Sequence, residues 1–377
     1  MTIESFIRAF LFLSFFLGGF ISISLIISRK HRSLPNAFLS LFLAIYAFRL
    51  LLHSDYAPNI GFGNYLIFTL LLSPSLFLYV YTLTKKIKIL KPYHLLHFLP
   101  SLVLIPVLIV FRESWNINSY KSAFTNDTAL IFLSIIQGLV VLHVVFYFFL
   151  IIKRLNEHRA YIKENFSNLS SVNLNAISRL CYAFLVVICI WIFGGYGDIG
   201  YFISIWGAPS IYIAYIFWFL LSLIVVLIGY EGFTRPDVFL NIDVSIKSKS
   251  IGKKSLSVGD LNEYSTRLSY LMDTKRPYLN PKLKLSELAD LMDMNPVLLS
   301  NVINTSFEKN FNDYINEYRV NEVINKMKDP KFNNLSLLGL ALDSGFNSKS
   351  TFNLMFKKFT GKTPKMFKKE FPANNSI

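Results

Sequence analysis

Seven apolar stretches, each near the roughly 20 residues that a bilayer-crossing helix needs, fill the chain before Tyr230. They run from about Ala9 to Ile27, Ala37 to Leu52, Tyr65 to Leu83, Leu95 to Phe111, Ala129 to Ile152, Leu180 to Ile199 and Ile211 to Tyr230. A water-soluble core does not need so much uninterrupted Phe, Leu and Ile, so the pattern predicts seven helices in contact with lipid. After Tyr230, Lys, Asn, Asp and Ser return at the rates of a soluble domain. Mean hydropathy of +0.45 and a 53% hydrophobic fraction therefore average over two chemically different parts.

The loops between these stretches orient the chain. Arg29, Lys30 and Arg32 follow the first, Lys85, Lys86, Lys88 and Lys91 the third, and Lys153, Arg154, Arg159 and Lys163 the fifth. The alternate loops are neutral or acidic, with Asp55, the balanced set Arg112, Glu113, Lys121 and Asp127, and Asp198. Basic loops stay on the cytoplasmic side, which predicts an N-terminus outside the cell membrane and, after seven spans, a C-terminal part in the cytoplasm. The first stretch reads as a retained helix, because Glu4 and Arg8 cancel and no small-residue cleavage site follows.

The net charge of +15 has two sources. From Glu231 onward, 22 Lys/Arg against 16 Asp/Glu leave +6, and the earlier 16 against 7 leave +9. Cys181 and Cys189 lie eight helical residues apart, roughly 12 Å, which is too far for a disulfide.

Polar residues inside the apolar stretches are few. Arg49 and His53 near the end of the second and Asp198 near the end of the sixth fit headgroup-level positions; Arg49 with Asp198 is the candidate sensor pocket if a ligand binds there. Gln137 and His143 in the fifth can pair with each other or with a neighbouring helix. Trp115, Trp191 and Trp206 read as interfacial anchors.

A polar junction with Lys247, Lys249, Lys253 and Lys254 follows Tyr230, either drawn to anionic lipid or simply solvated. Leu261, Tyr264, Leu268, Leu271 and Met272 then mark Asp260 to Asp273 as an amphipathic helix. Its apolar stripe needs a partner, either the domain that follows or the same helix of a second chain.

Two helix pairs come next. Ser286 is placed to cap a helix whose apolar face is Leu285, Leu288, Ala289 and Met292, and a turn falls at Asp293-Met294. Asn295 then caps, and Pro296 begins, a second helix through Ile303. The pattern recurs with Ser336 before Leu337–Leu342, a turn at Asp343-Ser344-Gly345-Phe346, and Ser348 before a helix to Phe359. Between the pairs, Phe311 to Met327 is helical by pattern and spans roughly 25 Å, enough to hold two reading helices about one DNA turn apart.

Residues from about Lys282 to Phe371 resemble the AraC/XylS family of transcription regulators, which carry two helix-turn-helix units on a linking helix. The resemblance rests on Gly345-Phe346-Asn347-Ser348, Phe352, Phe356-Lys357-Lys358-Phe359 and Gly361-Lys362-Thr363-Pro364. Lys275-Arg-Pro-Tyr-Leu-Asn-Pro281 adds a likeness to the membrane-tethered members. It implies groove-facing residues Val297, Ser300, Asn301 and Asn304 on the first recognition helix and Lys349, Ser350, Asn353 and Lys357 on the second. Lys357, Lys358 and Lys362, with Lys365, Lys368 and Lys369, form a basic cluster suited to phosphate. Many family members carry arginine where this chain has Asn301 and Leu354, which favours binding as a dimer.

The fold expected is all-α: a seven-helix transmembrane domain over 1–230, a juxtamembrane linker and amphipathic helix over 231–280, and a double helix-turn-helix domain over 281–377. The partners implied are double-stranded DNA, the lipid bilayer, a second copy of the chain as a homodimer, and a small-molecule or protein signal. No nucleotide loop, metal-ligand cluster or nucleophile-base set is evident, and the six histidines are scattered, so neither enzyme, cofactor nor metal is expected. The competing class is a multi-span transporter or receptor whose C-terminal domain binds protein instead of DNA.

Overall fold

The computed structural model describes residues 3–29, 31–52, 63–85, 87, 89–110, 127–169, 172–193, 209–234 and 258–370. Among them the regular elements are helical, and one isolated antiparallel bridge joins Phe166 to Lys284. The chain forms two compact units, Met1–Glu157 with Leu174–Leu240, and His158–Asn173 with Asn241–Ile377.

The first unit draws on seven α-helices among the described residues: α1 Ile3–Ile27, α2 Leu34–Leu52, α3 Gly63–Lys85, α4 Leu99–Val110, α5 Asp127–Asn165, α6 Asn175–Phe193 and α7 Pro209–Thr234. Four of them contain stretches long and apolar enough to cross a membrane, Ala9–Ile27, Leu34–Leu51, Gly138–Asn165 and Ile216–Thr234.

Two expected spans take a different form. The fourth begins as a 3-10 helix, Pro92–Phe98, and its α-helix covers only 12 residues, about 18 Å. Pro100 has no N–H to give the carbonyl four residues earlier, which weakens an α-ladder at that point. The fifth is longer than expected. Helix α5 runs 39 residues to Asn165, so Lys153, Arg154, Arg159 and Lys163 lie on a helix and not in a loop. No glycine or proline interrupts it there, and Leu155 and Ile162 are buried along it.

Close packing of the first unit depends on small residues. Ser22 and Ser40 each donate a hydroxyl to the other's carbonyl at 2.9 Å, joining α1 to α2. A Cβ on Gly232 of α7 would stand 2.2 Å from a Leu39 methyl, so a larger residue there would have to push that side chain aside. Leu39, Leu43, Leu78, Val80, Ile151 and Ile228 are fully buried, whereas Phe20, Leu139 and Leu142 are more than 60% exposed. Outward-facing apolar side chains of that size suit lipid better than water.

The second unit contains α8 Val258–Lys275, α9 Leu285–Leu291, α10 Pro296–Phe307, α11 Phe311–Lys328, α12 Leu337–Asp343, α13 Lys349–Thr360 and α14 Pro364–Glu370, with the His158–Asn173 segment. It has two cores, and α11 serves both. Phe311, Tyr314 and Ile315 in its first half pack with Leu268, Met272, Leu288, Ala289, Leu299 and Ile303. Val320, Val323 and Met327 in its second half pack with Leu340, Ala341, Phe346, Phe352 and Phe356. The stripe on α8 thus finds its partner in this chain's own first core, through Leu268, Leu271 and Met272.

Candidate nucleic-acid interface

Both helix pairs end their first helix in the same way. Met294 N–H donates to Ala289 C=O at 3.0 Å, with Asp293 at φ 53°, and Phe346 N–H donates to Ala341 C=O at 3.0 Å, with Gly345 at φ 88°. This is the Schellman stop, in which one left-handed residue turns the chain back over the last carbonyls. At Gly345 the demand is also steric, since a Cβ would lie 2.4 Å from the Tyr278 carbonyl oxygen.

The second helices then start on side-chain caps. Asn295 accepts from Val297 N–H at 2.8 Å, and Ser348 accepts from Thr351 N–H at 3.2 Å. Ser336 caps α12 through Gly339 N–H at 3.0 Å. Ser286 does not cap α9: Lys284 holds that position, and Glu287 reaches back to accept its N–H at 3.1 Å. A glutamate at the third helical position can perform this half of a capping box without a hydroxyl partner.

Helix α10 turns Leu299, Val302 and Ile303 inward and places Val297, Ser300, Asn301 and Asn304 on another face, at helical spacing. Val297 is 61% exposed, Asn301 and Asn304 are exposed and Ser300 is half-buried. Helix α13 buries Phe352, Met355 and Phe356 and exposes Lys349, Ser350, Asn353 and Lys357, with Leu354 65% exposed beside them. Lys358 is tied back to α11, its ammonium meeting Asp313 at 2.5 Å, while Lys362 is exposed after Gly361, whose φ of 75° ends α13.

Sequence reasoning missed a buried polar network centred on α11, because no local spacing marks it. Arg319 on α11 is 1% exposed. Its guanidinium donates to the carbonyls of Tyr278 (2.8 Å), Asn280 (2.7 Å) and Ser167 (3.4 Å), to Asn316 Oδ1 (3.3 Å) and to Ser167 Oγ (3.1 Å). Burial pushes its pKa down to about 9, so it remains charged at neutral pH. Asn312 donates to the carbonyls of Phe166 (3.0 Å) and Ser167 (2.8 Å), and Asn316 to Ser167 C=O at 3.0 Å. A second cluster sets Glu322 against Arg276 (3.2 Å) and Lys326 (3.4 Å), with Lys326 also on Asp343 at 2.6 Å. Burial, followed by the nearby Glu322 charge, raises the Tyr278 phenol to about 12.

The expected polar sites of the first unit fare unevenly. Arg49 donates to Thr69 Oγ1 at 2.7 Å and lies over the Trp218 ring at 4.9 Å, whereas Asp198 lies outside the described residues, as do His53, Trp115 and Trp206. Both ring nitrogens of His143 have no hydrogen-bond partner among the described residues, and its ring packs on Tyr147. No group of three or more potential metal ligands occurs among the described residues.

Residues 288–370 match the protein-family model described as a helix-turn-helix domain. No curated protein matches the chain. A solved structure of a Listeria innocua protein of unknown function is 28% identical and covers 28% of this chain and 94% of that one, with a TM-score of 0.24, too low to inform the fold. The C-terminal match agrees with the paired, capped helices on α11, and it supports an AraC-type helix-turn-helix domain with DNA as its partner.

Proposed function

We propose that this protein is a membrane-bound, sequence-specific transcription regulator that couples a signal at the membrane to gene expression. The observation that carries the reading is the repetition: two helix pairs with the same stop, one at each end of α11, each presenting an exposed polar face on its second helix. Val297, Ser300, Asn301 and Asn304 read one stretch of major groove, and Lys349, Ser350, Asn353 and Lys357 the next, with Lys358 and Lys362 on phosphates. Seven spans, an outside N-terminus and a cytoplasmic C-terminus fit the alternation of basic segments along the chain, and four of the helices are long and apolar enough to cross a membrane. Two chains acting together offset the absence of arginine at positions 301 and 354. Arg49 with Asp198 is the place to look for a signal ligand.

Binding of the full-length protein, held in lipid nanodiscs, to a pool of genomic DNA fragments tests the reading at several salt concentrations. Selective retention that Asn353→Ala relaxes and Lys357→Ala weakens is the expected result. The exposed Leu354 on the same face favours one alternative, protein recognition by this domain. Nonselective DNA binding indifferent to both substitutions would overturn the DNA-reading assignment and favour that alternative.

A further inference from the structure

The His158–Asn173 segment joins α5 to α6 in the chain, yet it belongs to the compact unit that holds the helix-turn-helix pairs. Its anchor is the Phe166-Ser167 backbone. Ser167 donates both its N–H (3.2 Å) and its hydroxyl (2.7 Å) to Leu283 C=O, and Asn312, Asn316 and Arg319 close on the two carbonyls. Phe166 and Ser167 are buried, and Ile162, Phe166 and Val172 form a small apolar cluster of their own. Sequence separations of more than 100 residues make this a built docking site and not a local turn.

One turn before the anchor, Glu164 reaches the first recognition helix. Its Oε2 accepts from Ser300 Oγ at 3.1 Å and from Asn304 Nδ2 at 3.3 Å. No cation pairs with Glu164 among the described residues, so this carboxylate rests on two neutral donors. Those donors are the ones assigned to base edges, and the same hydroxyl and amide hydrogens cannot serve both partners at once. A fixed negative charge at that place also opposes approaching phosphates.

We propose that the His158–Asn173 segment is an autoinhibitory element: docked through Phe166-Ser167, it places Glu164 on the reading face of α10, and DNA binds this helix only when Glu164 has left it. The inference rests on the DNA-binding reading of Ser300 and Asn304. It places a point of control in the segment between two apolar helices.

Two variants of the full-length protein in nanodiscs test it, with genomic double-stranded fragments as the probe. Glu164→Ala, which leaves the anchor intact, is expected to tighten DNA binding about tenfold. Phe166→Cys with Lys284→Cys, in a Cys181→Ala, Cys189→Ala background, places a disulfide across the antiparallel bridge and locks the segment down. The oxidised form is expected to lose the binding that the reduced form shows. Equal binding before and after oxidation, failure of the disulfide to form, or unchanged affinity in Glu164→Ala would each overturn the proposal. Tighter binding on oxidation would also overturn it, by showing that Arg159 and Lys163 of the segment add cations to the interface. Absence of Lys357-dependent DNA binding in every variant, Glu164→Ala included, would remove the DNA reading itself, an outcome distinct from the others.

Discussion

Gly345 and Arg319 illustrate how single residues support the reading helices without touching DNA. Alanine at 345 would hold a strained left-handed backbone and drive its Cβ onto the Tyr278 carbonyl. We expect a loss of about 1–3 kcal/mol or more, read as lower resistance to thermal unfolding in the C-terminal unit. Replacing Arg319 with methionine would leave the Tyr278 carbonyl without its donor, at about 1–3 kcal/mol, while the Asn280 carbonyl keeps Leu283 N–H and the Ser167 carbonyl keeps Asn312 and Asn316. Tyr278 sets an alkaline limit. Its pKa rises from 10.0 in the unfolded chain to about 12 in the folded one, so the folded state holds the proton longer and stability falls as pH climbs through that window. The difference between wild type and Tyr278→Phe isolates the phenol: the variant should decline less between pH 10 and about 12, and an equal decline would refute the assignment.

Among the elements, α8 and α13 make separable contributions. Leu268 and Met272 are fully buried in the first core and absent from the second. Leu268→Ala should therefore cost about 2–5 kcal/mol and accelerate amide exchange in α9 and α10 before α12 and α13. Uniform acceleration throughout would mean that the two cores unfold as one. On α13 the distinction is chemical. Lys357→Ala should weaken binding to all sequences and flatten the salt dependence by about one unit of slope, whereas Asn353→Ala should relax preference at one base pair with little change in slope. The Schellman stops and side-chain caps of these short helices were legible in the sequence because each depends on one or two neighbouring residues, as at Asn295, Ser336, Ser348 and Gly345. The cap of α9 was not, because Glu287 and Ser286 both suit a first turn and only the backbone position of Lys284 chooses between them.

At the scale of the molecule, the C-terminal unit is not a contiguous piece of chain. A fragment covering 258–370 lacks Ser167, and Asn312, Asn316 and Arg319 lose buried partners with it. Such a fragment should be less stable than the same region in the full chain, and a peptide of residues 158–173 added in trans should raise its melting temperature roughly with the logarithm of peptide concentration. Failure of the peptide to stabilise it would show that those buried donors find water instead. A fragment starting at Tyr270 would fare worse, since it also removes Leu268.

Helical character, the contrast between a lipid-compatible part and a polar part, and the paired helices on α11 were set by the sequence, because hydropathy, helical period and capping act between residues a few positions apart. Tertiary structure alone decided that the stripe on α8 packs on its own chain, and that Glu164 meets Ser300 and Asn304. Those outcomes depend on which distant surfaces can shed water together while every buried donor and acceptor keeps a partner. No spacing within the sequence records such a balance between residues more than 100 positions apart.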